Sequence, residues 1–322
     1  AIGIDIASSK AQAFIPDSGH VTAGGVLRLR ASNNTDATSK ADGSATSSGT
    51  GTGIGVGVAL TVVHAVNDGS IGSNAQVHGG GLVLEAKMTD VGGDKVNTFG
   101  ADATSGASGG KIGVAGSLAL NVAEAKSRAE IKSGAVVTII GGGDLAFAAE
   151  GNSATTALAK ADASVPDKVG IGLSVSLNIA NSEAVATIAD GAVVTGGHNL
   201  TMTADSDNAT TTGAQAGGTA TGGTGIGIGG AISIAVINNT TTTDIGSYAG
   251  GLGLSGALSA VATHKGSTAT LADGAAAGGK AGIGVALGLN VVNDVTVATT
   301  RRDLTASGAI TYAILSGFTP WT

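Results

Sequence analysis

One unit is written six times along this chain. Self-similarity at a fixed period limits the fold to a stacked repeat architecture before any local motif is considered. A Leu-Asn-Val-like triplet recurs as Ile4-Asp5-Ile6, Leu60-Thr61-Val62, Leu120-Asn121-Val122, Leu177-Asn178-Ile179, Ile234-Ala235-Val236 and Leu289-Asn290-Val291, at intervals of 56, 60, 57, 57 and 55 residues. A glycine-interleaved segment such as Gly53-Ile54-Gly55-Val56 or Gly225-Ile226-Gly227-Ile228 precedes it. A second strand follows, with copies at Leu27-Arg28-Leu29-Arg30-Ala31, Leu82-Val83-Leu84-Glu85-Ala86, Leu145-Ala146-Phe147-Ala148-Ala149, Leu200-Thr201-Met202-Thr203-Ala204, Leu258-Ser259-Ala260-Val261-Ala262 and Ile310-Thr311-Tyr312-Ala313-Ile314. The third part is rich in Thr, Ala, Ser and Gly, as in 35–51 and 209–223.

Side chains in these segments alternate with a period of two, which is strand geometry. Leu27, Leu29 and Ala31 point one way, Arg28 and Arg30 the other. Turn residues such as Gly79-Gly80-Gly81 and Gly141-Gly142-Gly143 bound the strands. The 57-residue unit divides into three pieces of about 19 residues, the size of one turn of a β-solenoid. The expectation is an all-β parallel β-helix of about 17 coils, stacked at about 4.8 Å into a rod of about 80 Å. The repeat runs through residues 1–322 without a linker, so one domain is expected.

Composition agrees. Gly supplies 56 of 322 residues and aromatic residues only 2%, which suits a narrow interior of Ala, Val, Ile, Leu and Gly. So much Gly argues against helix bundles. With 42% apolar residues the chain is not of the disordered class. There is no Cys, which removes disulfide frameworks and thiolate metal sites. The net charge is −7 and the longest basic cluster is Arg301-Arg302, so nucleic acid is not an expected partner. No apolar run is long enough for a membrane-spanning helix. The chain opens at Ala1 with no signal-peptide pattern and reads as a piece of something longer. Asn121, Asn178 and Asn290 are expected to form an amide ladder. Residues 316–322 depart from the repeat and read as a cap.

The run Leu177-Asn178-Ile179-Ala180-Asn181-Ser182, followed by 186–204, is similar to repeats of very large bacterial surface proteins. These are the filamentous-haemagglutinin-like and leukotoxin-like adhesins and autotransporter passengers. The resemblance covers essentially the whole chain, at the level of the repeat. It implies a right-handed parallel β-helix, a secreted or cell-surface location, and a stalk or adhesive role. The chain lacks the secretion domain and membrane barrel of such proteins.

The residues themselves point to little chemistry. His20, His64, His78, His198 and His264 fall at different phases of the repeat and read as exposed face or turn residues. Asp205 and Asp207 could share a face as oxygen ligands for Ca²⁺, but read as a polar strand end. Asp144, Glu150, Asp162, Asp190 and Asp244 are spread along the chain, and pairs of them could still meet across coils. Gly53-Ile54-Gly55-Val56-Gly57 lacks the following helix that a dinucleotide fingerprint needs. The Thr runs at 155–156, 210–212 and 240–243 drift in phase, unlike an ice-binding column. No catalytic, cofactor-binding or metal-binding residue is assigned. The expected function is a stiff adhesive segment, binding a host or neighbouring-cell surface or extracellular matrix. The alternatives are a filament subunit that stacks end to end on itself and a carbohydrate-active β-helix.

Overall fold

The computed structural model describes residues 1–320. Its 22 strands fall into six coils. The first holds β1 (Ile2–Ile15), β2 (His20–Thr22), β3 (Val26–Asn33), β4 (Ala37–Asp42) and β5 (Ala45–Ser47). The second holds β6 (Thr52–Ile71), β7 (Gln76–Gly79), β8 (Gly81–Met88) and β9 (Asn97–Gly109). The third holds β10 (Ile112–Ile131), β11 (Val136–Ile139), β12 (Leu145–Glu150) and β13 (Ser153–Val165). The fourth holds β14 (Val169–Ile188), β15 (Val193–Thr195) and β16 (Leu200–Ala220). The fifth holds β17 (Ile226–Ile245), β18 (Leu252–Leu254) and β19 (Leu258–Gly278). The sixth holds β20 (Ala281–Thr300), β21 (Leu304–Ala306) and β22 (Ile310–Pro320).

The strands pair in parallel with their counterparts one coil away. The sequence triplets are themselves the register: Ile4, Leu60, Leu120, Leu177, Ile234 and Leu289 lie in one column. The spacing between paired residues is therefore a whole repeat unit. This corrects the expected coil of about 19 residues and the count of about 17. The three pieces of the unit are sides of one coil, because each pairs with the same piece of the next unit and never with the piece that follows it in the chain. The stack is then only six strands deep, about 24 Å along its axis at the inter-strand spacing. A 20-residue strand extends about 66 Å at 3.3 Å per residue. The molecule is a plate wider than it is tall, in place of the expected 80 Å rod.

Each coil has two long sides and one short one. The first long sheet has the order β1-β6-β10-β14-β17-β20. The second is built on β16 and β19, with β3, β8 and β12 aligned along its first part and β4, β9 and β13 along its second. The short side is β15-β11-β7-β2, continued by the pair β18-β21. Residues 316–320 extend β22 in register with β19, so this part of the expected cap continues the stack. Residues 321–322 lie outside the described residues.

Side-chain size sets the cross-section. Where the short side separates the two long sheets, large residues fill a triangular core: Ile71, Leu84, Phe147, Met202 and Ile245 are all buried. Farther along the long strands nothing separates the sheets. There the inward positions shrink to Gly, Ala and Ser, as in Ala59, Ala101, Ala119 and Ala157. A Cβ built on Gly172 would lie 2.1 Å from the Gly217 carbonyl oxygen, and one on Gly229 would lie 1.9 Å from that of Ala275. The two backbones are closer than any side chain permits, well inside the usual separation of stacked sheets of about 10 Å. We call this half the blade.

The blade inverts the expected pattern. Its Ile, Leu and Val residues were expected inside; on the first long sheet they point outward. Ile54, Val56, Leu118, Leu173, Val175 and Ile232 are exposed, while the alternating Gly55, Ala119, Gly172 and Ala231 are buried. The reason is geometric. A sheet pair this close has room inside only for the small partner of each alternating pair, so period-two alternation sends the large one to solvent.

This account makes Gly229→Val an overpacking change that destabilises the fold by at least about 3 kcal/mol. Gly116→Val adds a side chain on the outer face, where nothing lies within 4 Å of the new Cβ. It should shift stability by no more than about 0.5 kcal/mol. Chemical denaturation of the two variants checks the contrast.

Candidate functional site

Between the sheets of the blade runs a row of polar side chains that ties one sheet to the other. Ser39 and Thr61 hydroxyls lie 2.8 Å apart, and Thr61 donates to the Gly100 carbonyl. Asn121 Nδ2 donates to Asn178 Oδ1 at 3.0 Å. Asn178 Nδ2 donates to Thr155 Oγ1 at 3.3 Å, and Thr155 meets Thr210 at 3.0 Å. The expected amide ladder is thus real for Asn121 and Asn178. It stops there, because the next residue in the column is Ala235, and Asn290 lies beyond it on the exposed last coil. Three parts of the Thr pattern, Thr155, Thr210 and Thr241, serve this inner row.

At its far end the row holds the residue types of acyl-transfer chemistry. Ser206 Oγ is 2.8 Å from His264 Nδ1 and 2.6 Å from Thr241 Oγ1. His264 Nε2 is 3.5 Å from Asp294 Oδ1, which accepts from Asn239 Nδ2 at 2.7 Å. A nucleophile must reach its substrate. Ser206 and His264 are each 1% exposed, so this Ser-His-Asp alignment is closed to solvent and joins four strands, β16, β17, β19 and β20. His264 therefore departs from the exposed placement expected of the histidines. It belongs inside because it falls at an inward phase of β19, beside Ala262. The other four do not converge: His20, His64 and His198 are exposed and His78 is half-buried. His64 Nδ1 meets Glu124 at 2.6 Å, and His198 Nδ1 meets Asp144 at 3.2 Å.

The outer surface of the second long sheet carries a charged groove. A cleft of about 360 Å³ is lined by Lys87, Glu150, Thr203, Asp205 and Thr263. A second, of about 430 Å³, shares Lys87 and Glu150 and adds Arg30, Glu85, Asp90 and Lys95. Together they form one groove running across the coils. Glu85 pairs with Arg30 and with Lys87. Glu150 and Asp205 are register partners on adjacent strands, and Glu150 Oε1 accepts from Asn152 Nδ2 at 3.3 Å. Burial against the groove pushes the Asp205 carboxyl above its ordinary range, opposed by the charge of Lys265. Asp207 lies two residues along the same face. Among the described residues no three His, Asp or Glu side chains converge as metal ligands.

Asp190 and Asp244 are used in structure. Asp190 accepts the Ser247 backbone N–H at 2.7 Å, which holds its carboxyl below the usual range. Arg301 bridges Asp190 and Asp244, one coil apart. Its neighbour Arg302 turns inward and donates to the Gly246, Ala192 and Ala189 carbonyls, so one side chain binds three successive coils. Nothing in the Arg301-Arg302 dipeptide distinguishes the surface arginine from the buried one; only the turn geometry does. Asp162 is exposed on β13.

On the first long sheet, past the blade, a patch of ions replaces the aliphatic columns. Glu124 pairs with Lys126, and Arg128 holds Glu183 through two contacts at 2.8 and 2.6 Å. Glu130 sits beside Lys132 at 3.6 Å, but burial dominates and pushes its carboxyl up. Among the described residues no helix is long and apolar enough to cross a membrane.

A carboxyl group with a raised folded-state pKa binds its proton more tightly in the folded chain than in the unfolded one. Its ionisation therefore costs stability as pH rises from the unfolded value, near 4.5, through the folded one. Glu130→Gln should stabilise the fold at pH 7, and the gain should vanish below pH about 4. Urea denaturation of both forms across pH 3.5–8 reads this directly; a variant less stable at pH 7 would show that the Lys132 pairing outweighs burial.

Comparison with known proteins finds no matching protein family, no matching curated protein and no matching solved structure.

Proposed function

We propose that this chain is a structural and adhesive segment of a large bacterial secreted or cell-surface protein, wound as a right-handed solenoid. The observation that carries the reading is the unbroken in-register stack, in which one repeat pairs with the next over up to 21 residues of strand. Such a stack resists bending along its axis, because each coil is fixed to its neighbours by a full ladder of backbone hydrogen bonds. Function then comes from geometry. The stack holds broad surfaces in fixed relation, and the groove that crosses the coils offers several weak contacts to one extended ligand, which is how multivalent binding gains strength. The repeat-level likeness to bacterial adhesins supports the location and the role.

A second reading has its own observation. The outer edges of β1 and β20 have no partner strand, and such edges are templates for pairing. End-to-end stacking of copies would extend the solenoid as a filament. The carbohydrate-active reading rests on the Glu150 and Asp205 pair alone and is the weakest of the three.

Beads coated with the full chain should be retained on epithelial cell layers or immobilised matrix at least tenfold over uncoated beads. Retention should fall when Lys87, Glu150 and Asp205 are all replaced by Ala. Retention equal to uncoated beads on every surface would remove the adhesive role and leave the purely structural one.

A further inference from the structure

The outward side of the blade on the first long sheet is an aliphatic field. Six columns of outward residues cross it, and they are almost entirely Ile, Leu and Val. One column is Ile2, Val58, Leu118, Val175, Ile232 and Leu287; another is Ile6, Val62, Val122, Ile179, Val236 and Val291. At about 6.7 Å between columns and 4.8 Å between coils the field covers about 1,000 Å². The largest apolar patch on an ordinary monomer is about 300–600 Å². The opposite outer face of the same blade is more polar: one column is Asp42, Thr104, Lys160, Gln215 and Asp273, and only its neighbour, Lys40, Asp102, Leu158, Gly213 and Leu271, carries large aliphatic residues. The blade is thus amphipathic as a whole, and one side of it is built to be covered.

We propose that this face is covered by a second copy of the chain, packed face to face about a two-fold axis that runs along the stack. Three features select that occupant. The first is area. A stable protein interface buries about 800 Å² per partner, and this field supplies it. The second is charge. Lys111 and Lys168 border the field at the thin edge of the blade; on the other side lie Glu124, paired with Lys126, and beyond it Glu183, held by Arg128. A two-fold axis along the stack reverses the strand direction between copies. With the axis over Ser117, which lies midway between Lys111 and Ala123, Lys111 of each copy lies against the position of Ala123 and Glu124 in the other. A two-fold axis along the strands would instead set lysine edge on lysine edge. The third feature is shape. The column Val56, Gly116, Leu173, Gly230 and Val285 alternates large with small. The same axis places the open site at Gly116 opposite Leu118 of the second copy, and Gly230 opposite its Ile232. Two plates with the same coil spacing thus mesh at the third and fifth coils.

A lipid surface suits the field less well. The six columns contain no aromatic residue, whereas membrane-interface proteins concentrate Trp and Tyr at that depth. The pairing is lateral, leaves the strand edges of the first and last coils free, and does not rest on the adhesive reading.

Sedimentation velocity of the full chain from 0.1 to 100 μM tests the proposal. The expected result is a monomer–dimer equilibrium. Leu173→Asp, on a half-exposed outward residue, should weaken it at least 100-fold without changing the circular dichroism or the melting temperature. Lys111→Glu should weaken it more modestly, and adding Glu124→Lys should restore it. Thr211→Asp, on the polar face, should leave it unchanged. Small-angle scattering of the dimer should show doubled thickness at constant stack height. A monomer at 100 μM, a dimer indifferent to Leu173→Asp, or a dimer that grows along the stack would overturn the proposal. So would flotation of the chain with phosphatidylcholine–phosphatidylserine vesicles that is lost in Leu173→Asp, because it would assign the face to lipid.

Discussion

The closeness of two β-sheets across an interior of glycine and alanine governs the rest of this structure. Where Gly172 faces Gly217 and Gly229 faces Ala275, no Cβ fits between the backbones. Side-chain volume is therefore expelled from the interior, and the alternation of the strand carries it to the outer face. An ordinary sandwich gains stability by burying Leu, Ile and Val. The blade buries Ala, Ser and Asn, and takes cohesion from backbone ladders along the stack and from close contact across it. The triangular end, with Phe147, Met202, Leu84 and Ile245, has a conventional apolar core, and Phe99 with Val63 forms a smaller apolar cluster between the long sheets.

This division explains where polar residues go. In the blade the sheets approach so nearly that short hydroxyl and amide side chains can bridge them, as Ser39 does with Thr61 and Ser206 with Thr241. The Ser206, His264 and Asp294 alignment is the same device with a longer side chain at its centre. Resemblance to a hydrolase triad ends at access, since the hydroxyl lies between two sheets. At the turns, where strand pairing ends, Asp190 and Arg302 bind one coil to the next through backbone groups.

Much of the fold was legible in the sequence because in-register stacking makes sequence repetition and structural register the same quantity. The six triplets mark one column without exception. The coil length was misread because a 57-residue unit with three similar pieces looks like three coils. Nothing local distinguishes a piece that pairs with its successor from one that pairs with the same piece in the next unit. The direction of the blade residues is not legible in the sequence for a related reason. Period two shows that Ile54 and Val56 lie opposite Gly53 and Gly55, and the usual assumption puts the larger set inside. The information that reverses it is the Gly, Ala and Ser content of the facing strand, as at Ala101, Ala103 and Ser105, which matters only once the two strands are known to face one another. His264 and Arg302 were hidden in the same way, since a buried polar residue is defined by partners far away in the chain.

The claim on which this account depends is the inward placement of small residues and the outward placement of large ones. Single cysteines introduced at positions 118 to 123 of the cysteine-free chain measure it. Maleimide labelling at nanomolar protein concentration should be fast at Leu118→Cys, Leu120→Cys and Val122→Cys, and strongly protected at Ala119→Cys, Asn121→Cys and Ala123→Cys. Labelling with the opposite phase would place the aliphatic residues inside, and both the thin blade and its exposed apolar face would be wrong.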